Sequence, residues 1–294
     1  WIINTLARIQ CFFVKRALTA TIENHTIARP DGTSLKVFTL TPPGVDQAAP
    51  ALVYYHGGGF GITYAGLHVT NCERYAIESG CKIVFVDYHL APQNPFPDGF
   101  DDCYLALEWT LREAAALGID ANRVAVGGDS AGGAFAAGVA QKARDKQLGT
   151  PCGQLLIYPV TDHTCSTESA TQLVDVPVWN ALSNRHMWRM YLSRYGAGTA
   201  PAYAAPGHGS TEALPPSYVE TAQFDPLRDE GQAYAQAVRQ SGVQVVEHFA
   251  EGAVHGYDAV KQSVVTQQGM KARIDFLRQI FSTELRQAAD ATQH

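Results

Sequence analysis

The sequence predicts an α/β protein with a mostly parallel central sheet that is flanked by helices. Its 294 residues are 46% hydrophobic and 17% charged, a balance that allows a large core to be buried. Short apolar runs, typical of strands, recur along the chain and alternate with longer segments of helical spacing. Because helices that alternate with strands cover both faces of a sheet, this order favours parallel strands.

Turn residues and changes of hydrophobic period set the bounds of the predicted elements. A turn at residues 30–32 joins the first two strands, and Gly118 ends one of the helices. The predicted strands are 21–28, 34–41, 51–55, 81–88, 123–126, 154–160, 217–221 and 243–249. The predicted helices are 1–18, 100–117, 131–146, 229–241 and 269–288.

Two segments are predicted to lie outside the central α/β unit, which comprises residues 21–176 and 210–294. Residues 1–20 form an N-terminal cap helix in which Asn4, Arg8 and Lys15 share one side. We expect this amphipathic helix to pack onto the protein body, and a membrane-surface role is the alternative. Residues 177–209 interrupt the alternation and form either an inserted cap segment, which we favour, or a long packed loop. The aromatic residues of this segment are Trp179, Trp188, Tyr191, Tyr195 and Tyr203.

Charge and apolar patterning argue against two classes of partner. The net charge is −6 and the chain has no dense run of lysine and arginine, so nucleic-acid binding is not expected. The longest apolar run of the first helix, 11–14, is far shorter than the roughly 20 residues of a membrane span. We therefore expect no stable membrane insertion. A cytoplasmic location is expected, with a native start that precedes Trp1.

Cysteine and histidine spacing predicts neither a metal site nor a cofactor. None of the cysteines forms a CxxC pair, and His163 and Cys165 are too isolated to suggest metal ligands. Buried free thiols are the favoured state, and one or two disulfides in an exported protein are the alternative. The six cysteines are Cys11, Cys72, Cys81, Cys103, Cys152 and Cys165.

A serine nucleophile is indicated by residues 128–132, which read Gly-Asp-Ser-Ala-Gly and match G-x-S-x-G. The motif follows a predicted buried strand and opens a helix, which is the context that it requires. A tight strand-to-helix turn exposes the side chain of Ser130 and brings Gly128 and Gly132 close to neighbouring backbone. The start of the helix also directs N–H groups and a positive dipole end towards the site.

A glycine run at residues 57–59 follows another strand and predicts an oxyanion hole. The N–H groups of Gly58 and Gly59, with that of Ala131, can point at a developing oxyanion. His56 precedes the glycines, and we interpret it as a residue that holds their loop rather than as the base.

The acid and the base are expected later in the chain, at the carboxyl ends of strands. Asp225 follows the strand 217–221, and His255 follows the strand 243–249. His255 would take the proton of Ser130, and Asp225 would orient His255 and stabilise its charged form. Asp229 and Glu230 compete for the acid role, but Asp225 lies nearer the strand end and is preferred.

The order of these motifs resembles that of the hormone-sensitive-lipase-like carboxylesterases, the bacterial group called family IV. The resemblance rests on residues 56–59, 87–92 and 128–133, and on Asp225-Pro226-Leu227 with His255-Gly256. It implies the α/β-hydrolase fold with a helical cap, and hydrolysis of esters with short to medium acyl chains. It also supports Asp225 as the acid and Gly58, Gly59 and Ala131 as oxyanion donors.

Two departures from the family pattern, and one feature of the family, carry expectations of their own. His89 and Gln93 replace an arginine and a glutamate of the second motif, so a structural ion pair is expected to be missing there. The N-terminal cap is short, which would leave the pocket more open. Family members often dimerise near the C-terminus, and the strand 243–249 is an edge strand suited to a homodimer.

The function predicted is that of a serine carboxylesterase acting on small-molecule esters through an acyl-enzyme intermediate. A non-catalytic ligand-binding protein on the same fold is one alternative, and an acyltransferase or amidase with the same triad is another. The residues predicted to line the substrate pocket are Phe60, Tyr64, Trp188, Tyr191, Leu227 and Tyr257.

Overall fold

A computed structural model describes residues 2–45, 48–196 and 198–282 of the chain. Its centre is an eight-stranded sheet with the order β1-β2-β4-β3-β5-β6-β7-β8. The strands are β1 (Thr21–Ala28), β2 (Ser34–Thr41), β3 (Ala49–Tyr55), β4 (Lys82–Asp87), β5 (Ile119–Asp129), β6 (Gln154–Ile157), β7 (Ser217–Phe224) and β8 (Val245–Val254). β2 runs antiparallel to its two neighbours, β1 and β4. The strands from β4 through β3 and β5 to β8, taken in the sheet order, run parallel to one another. The predicted α/β architecture with a mostly parallel sheet is confirmed.

The helices cover both faces of the sheet, as the alternating pattern predicts. They are α1 (Ile2–Arg16), α2 (Gly66–Ser79), α3 (Asp98–Arg112), α4 (Ala131–Asp145), α5 (Glu168–Gln172), α6 (Ala181–Tyr191), α7 (Arg228–Gln240) and α8 (Val264–Phe281). Two single turns of 3-10 helix, Pro206–His208 and Tyr257–Ala259, complete the described elements.

Several element bounds differ from the sequence-based ones for local reasons. β6 ends at Ile157 rather than at residue 160, because Tyr158 has a φ of 33° that leaves the strand conformation. α8 begins at Val264, earlier than expected, where the side chain of Ser263 accepts the N–H of Thr266 as an N-cap. The predicted end of that helix, 283–288, lies outside the described residues. No helix bounds were predicted for α2, α5 or α6.

Two apolar clusters, one on each face of the sheet, form the core. Along β3, Val53 and Tyr55 belong to one cluster, whereas Leu52 and Tyr54 belong to the other. The first cluster includes residues of α3, α4 and α7, and the second includes residues of α2 and α8. Because successive side chains of a strand point to opposite faces of the sheet, neighbouring residues of β3 pack under different helical layers.

The N-terminal helix α1 packs onto the protein body, as expected, through the side that carries Asn4, Cys11 and Lys15. The Nζ atom of Lys15 lies 3.4 Å from the centre of the Phe38 ring, and Asn4 donates to the carbonyl oxygen of Gly61. The apolar side faces outward, so Phe13 is 65% exposed. The amphipathic pattern therefore identified the helix correctly without indicating which side is buried.

A buried ion pair occupies the region where the family's motif departs at His89. Arg29 donates from Nε and Nη2 to the two carboxylate oxygens of Asp102, at 2.6 and 2.8 Å. His89 lies against the same carboxylate, with its Nδ1 atom 3.2 Å from Oδ2. This pair joins Arg29, at the end of β1, to Asp102 rather than residues 89 and 93 to each other, so the expected absence of the motif's own ion pair stays a prediction.

Three further expectations concern the surface and the cysteines. β8 lies at an edge of the sheet, as predicted. All six cysteines are free, and five of them are buried. Among the described residues, no helix is both long and apolar enough to span a membrane.

Candidate active site

The nucleophile turn lies between β5 and α4, where Ser130 has φ 53° and ψ −118°. This left-handed conformation turns the serine side chain out of the strand, and the side chain itself is almost fully buried. A Cβ atom on Gly132 would overlap the carbonyl oxygen of Tyr55, and one on Gly128 would overlap the same oxygen. The two glycines therefore allow β3 and the turn to approach each other, as the motif requires.

His255 and Asp225 complete a hydrogen-bonded chain with Ser130. The Nε2 atom of His255 lies 3.0 Å from Oγ of Ser130, and its Nδ1 atom lies 2.7 Å from Oδ2 of Asp225. Asp225 is fully buried, and its other oxygen accepts the N–H of Leu227 at 2.9 Å. β7 and β8 are adjacent parallel strands, so their carboxyl ends bring the two loops together.

The electrostatics of His255 suit a general base near neutral pH. Burial alone would lower the pKa of His255, but the charge and hydrogen bond of Asp225 raise it above its ordinary value of 6.5. Asp225 also fixes the tautomer, because it holds the proton on Nδ1 and leaves Nε2 free to accept from Ser130.

The two competing acids serve other contacts. Asp229 accepts the N–H of Ser169 at 2.7 Å and pairs with Arg228. Glu230 accepts the N–H groups of Thr161 and Asp162. Both lie in the first turn of α7, where carboxylates are favourable, and neither of these contacts involves His255.

The glycine loop is attached to the nucleophile turn by Asp129. Its carboxylate accepts the N–H of Gly57 at 2.9 Å and the hydroxyl of Tyr54 at 2.7 Å. His68 lies 3.3 Å from the other carboxylate oxygen. Burial would raise the pKa of Asp129, but His68 and these hydrogen bonds hold it well below its usual range. An ionised Asp129 thus links the loop after β3 to Ser130.

The N–H groups expected to form the oxyanion hole are available in this arrangement. Within the described part of the chain, the N–H groups of Gly58 and Gly59 donate to no protein atom. Ala131 is the first residue of α4, so its N–H has no intrahelical acceptor. Gly58 and Gly59 have φ values of 125° and 56°, which side-chain-bearing residues rarely adopt.

His56 lies in the glycine loop and contacts its neighbours there. Its ring stacks on Tyr88 at 4.2 Å between centroids, and Nδ1 donates to the carbonyl oxygen of Gly57 at 2.6 Å. Complete burial lowers the pKa of His56 to about 3, so the ring is neutral. These contacts fit the interpretation that His56 holds the loop.

The predicted pocket residues fall into two groups. Trp188 and Tyr191 of α6 form one aromatic cluster with Phe60, which stacks on Tyr191 at 3.7 Å. Leu227 is buried beside Asp225. Tyr64 instead lies beneath α1, where its hydroxyl accepts from Lys15.

Tyr257 also differs from the expectation, since its hydroxyl donates to buried Glu220 below the His255 loop. The sequence could not indicate this, because Tyr257 directly follows the His255-Gly256 motif yet packs, like Tyr64, in the second core cluster.

Two aromatic residues next to the triad were not predicted as site residues. Trp179 lies beside the glycine loop, with Cη2 2.8 Å from the Cβ position of Gly59 and its ring 6.0 Å from that of His255. The ring of Tyr158 packs edge-on against His255 at 4.8 Å. The position of Trp179 in the predicted inserted segment was the available signal, but the sequence did not distinguish it from the other aromatic residues of that segment.

The fold and this arrangement define the class of α/β hydrolases, with Ser130 on a strand-to-helix turn. A family model described as the alpha/beta hydrolase fold matches residues 52–259. The carboxylesterase NlhH of Mycobacterium tuberculosis is 38% identical over 245 residues, which cover 80% of this chain and 75% of that protein. The ethyl acetate hydrolase of Pseudomonas putida is 35% identical over 240 residues, with the same two coverages of 80% and 75%.

Solved structures agree with this assignment. A bacterial heroin esterase superimposes with a TM-score of 0.89 and 33% identity, covering 96% of this chain and 91% of that one. The chain therefore belongs to the α/β-hydrolase family, in its hormone-sensitive-lipase-like group called family IV. It is a carboxylic ester hydrolase.

Proposed function

We propose that this enzyme hydrolyses small esters of short to medium acyl chains through a covalent acyl-enzyme on Ser130. The observation that carries the proposal is the buried chain of hydrogen bonds from Ser130 through His255 to Asp225, with distances of 3.0 and 2.7 Å. Serine at its own pKa is a poor nucleophile, and an adjacent base held by a third group activates it.

The first half of the reaction forms the acyl-enzyme. Oγ of Ser130 bonds to the ester carbonyl carbon while its proton passes to Nε2 of His255. The carbonyl oxygen becomes an oxyanion that accepts from the N–H groups of Gly58, Gly59 and Ala131. The bond to the alcohol oxygen then breaks, and His255 returns the proton to the leaving alcohol.

The second half releases the acid. Water attacks the acyl carbon and gives its proton to His255, and the bond between that carbon and Oγ of Ser130 breaks. The carboxylic acid leaves as His255 returns the proton to Ser130. Asp225 remains ionised throughout and stabilises the charged imidazole of His255.

The preference for short chains rests on two observations. Trp179 lies directly over the glycine loop, and the neighbouring cluster of Phe60, Trp188 and Tyr191 is tightly packed. Bulky rings so close to the reacting atoms leave limited room for an acyl chain. The Pseudomonas putida relative is named for hydrolysis of ethyl acetate, which is a short ester.

The test is hydrolysis of p-nitrophenyl butyrate by the wild type, by Ser130→Ala and by Ser193→Ala. Ser193 is exposed and serves as the matched control. We expect a loss of about 10⁶-fold in kcat for Ser130→Ala, as other serine hydrolases show, and no change for Ser193→Ala. Full activity in a folded Ser130→Ala protein would exclude Ser130 as the nucleophile.

Two further measurements separate the alternatives. A series of p-nitrophenyl esters from acetate to palmitate measures chain-length preference, and faster hydrolysis of palmitate would contradict it. Product analysis with and without an added alcohol distinguishes hydrolysis from acyl transfer. An inactive wild type on all of these esters and on matching anilides would favour a binding function.

A further inference from the structure

Three side chains that commonly ligate metals meet outside the catalytic triad, where the inserted segment returns to the sheet. Asp162 and His163 lie in the loop after β6, and His208 ends the 3-10 turn Pro206–His208. One ligand atom from each lies within 4.8 Å of the others. His163 looks isolated in the sequence, because His208 is remote from it and only the fold brings the two together.

The positions of Asp162 and His208 are fixed by their neighbours. Thr164 donates from its N–H and its hydroxyl to the two oxygens of Asp162, at 2.8 and 2.7 Å. The residue before His208, Gly207, donates its N–H to the carbonyl oxygen of Thr161 at 2.9 Å. The Nε2 atom of His208 then lies 2.7 Å from Oδ1 of Asp162.

His163 supplies a second, independent observation. Both of its ring nitrogens are buried, and among the described residues neither has a hydrogen-bond partner. Its ring packs on His208 at 4.9 Å and on Trp188 at 6.1 Å between centroids. Buried polar atoms are normally satisfied, so an unpaired imidazole beside an Asp–His pair points to a ligand that accepts a nitrogen lone pair.

We propose that Asp162, His163 and His208 form a binding site for a divalent transition-metal cation of the Zn²⁺ type. One carboxylate oxygen and two imidazole nitrogens are a donor set that suits zinc and its neighbours, whereas calcium and magnesium prefer oxygen alone. The cation replaces the proton on Nε2 of His208, which leaves to solvent, and water completes the coordination.

The surrounding charges oppose a cation, so its affinity has to come from coordination by the ligand atoms. Arg185 and Arg189 line the cavity that His163 also lines, and their positive charges disfavour a loosely held cation. Metal–ligand distances of about 2 Å require the three ligand atoms to approach one another more closely than they do here. The side chain of His208 is 48% exposed, so it is free to make that adjustment.

Binding at this site would join the end of the inserted segment to the loop after β6. His163 also contacts Trp188 of α6, so the cation would stabilise the cap on the catalytic unit. The site takes no part in the chemical step, and the proposal does not depend on the proposed substrate class.

The test is calorimetric titration of ZnCl₂ and CoCl₂ into EDTA-treated, tag-free protein. The titrations are made with the Ser130→Ala variant, whose affinity for the metal should equal that of the wild type. We expect one equivalent to bind, and His208→Ala to weaken the affinity by at least about tenfold, because one of three ligands is lost. His186→Ala removes an exposed histidine of α6 and should bind as the wild type does. Cys165→Ser should also bind normally, which excludes the nearby thiol.

Thermal unfolding provides a second readout. Zn²⁺ should raise Tm in the wild type and in His186→Ala, but not in His208→Ala. The proposal is overturned if the wild type shows no saturable binding, if His208→Ala binds as tightly as the wild type, or if Cys165→Ser abolishes binding. His208 is exposed, so its substitution should leave the fold intact, and circular dichroism of the apo variant checks this.

Discussion

Arg273 of α8 and Glu220 of β7 form an ion pair that is completely buried beneath the loop that carries His255. Nε of Arg273 donates to Oε2 of Glu220 at 2.9 Å, and Nη1 donates to Oδ2 of Asp258 at 2.8 Å. Asp258 in turn accepts the hydroxyl of Tyr158, whose ring packs against His255. The position of His255, the proposed catalytic base, is thereby connected to the core of the protein.

Glu220→Gln should destabilise the protein by about 3–5 kcal/mol, because it leaves the charge of Arg273 buried and partly unpaired. Burial would raise the pKa of Glu220, but Arg273 and the tyrosine hydroxyls hold it below its ordinary value of 4.5. The stabilisation by ionised Glu220 is therefore present above pH 4.5 and is lost as the pH falls below it.

Urea unfolding at several pH values measures this effect. Asp275→Asn, which breaks the exposed pair of Asp275 with Lys271, is the control and should cost less than about 1 kcal/mol. Equal effects of the two substitutions at neutral pH would show that the buried pair contributes no more than a surface pair.

The pH dependence of kcat/KM should report the ionisation of His255 in the free enzyme. Because Asp225 raises the pKa of His255 above 6.5, activity should increase with pH and reach half of its maximum above pH 6.5. Asp225→Asn should reduce kcat by about 10⁴-fold, since the tautomer is no longer fixed. A rate that is constant from pH 5 to pH 9 would argue against His255 as the base.

Asp129→Asn should lower kcat by about 10- to 100-fold, because a charged hydrogen bond of about 1.5–3 kcal/mol to the glycine loop is weakened. KM should change little, since Asp129 contacts Gly57 and Tyr54 rather than the predicted pocket. Asp31→Asn, at an exposed turn, is the control. Steady-state kinetics would contradict this role if KM rose while kcat stayed constant.

Gly132→Ala should abolish activity, because the added Cβ overlaps the carbonyl oxygen of Tyr55 and displaces the nucleophile turn. The comparison is Gly196→Ala, where the nearest atom to the new Cβ is 3.9 Å away. Activity and Tm of both variants provide the measurement. A fully active Gly132→Ala enzyme would show that β3 and the turn can separate without consequence.

Trp179→Ala should shift the chain-length preference towards longer acyl groups, because the indole covers the glycine loop beside His255. The p-nitrophenyl ester series gives the ratio of kcat/KM for octanoate to acetate, which should rise. Val174→Ala changes an exposed apolar residue of the preceding loop and should leave the ratio unchanged. An unaltered ratio in Trp179→Ala would place the acyl chain elsewhere.

The local pattern of the sequence determined the layered α/β architecture and the order of the reacting residues. Strand periodicity, turn residues and the G-x-S-x-G context act over a few positions, so they predicted β1 to β8 and placed Ser130, Asp225 and His255 at strand ends. The glycines at 58, 59, 128 and 132 were also predictable, since close backbone approach requires them.

Only the tertiary structure decided which distant side chains meet. Three relationships depend on packing between segments far apart in the chain. They are the outward apolar side of α1, the placement of Trp179 against Gly59, and the approach of His208 to His163. The buried pairs of Arg273 with Glu220 and of Arg29 with Asp102 are of the same kind. Periodicity records which residues share a side of an element, whereas the partner of that side is set by how the whole core packs.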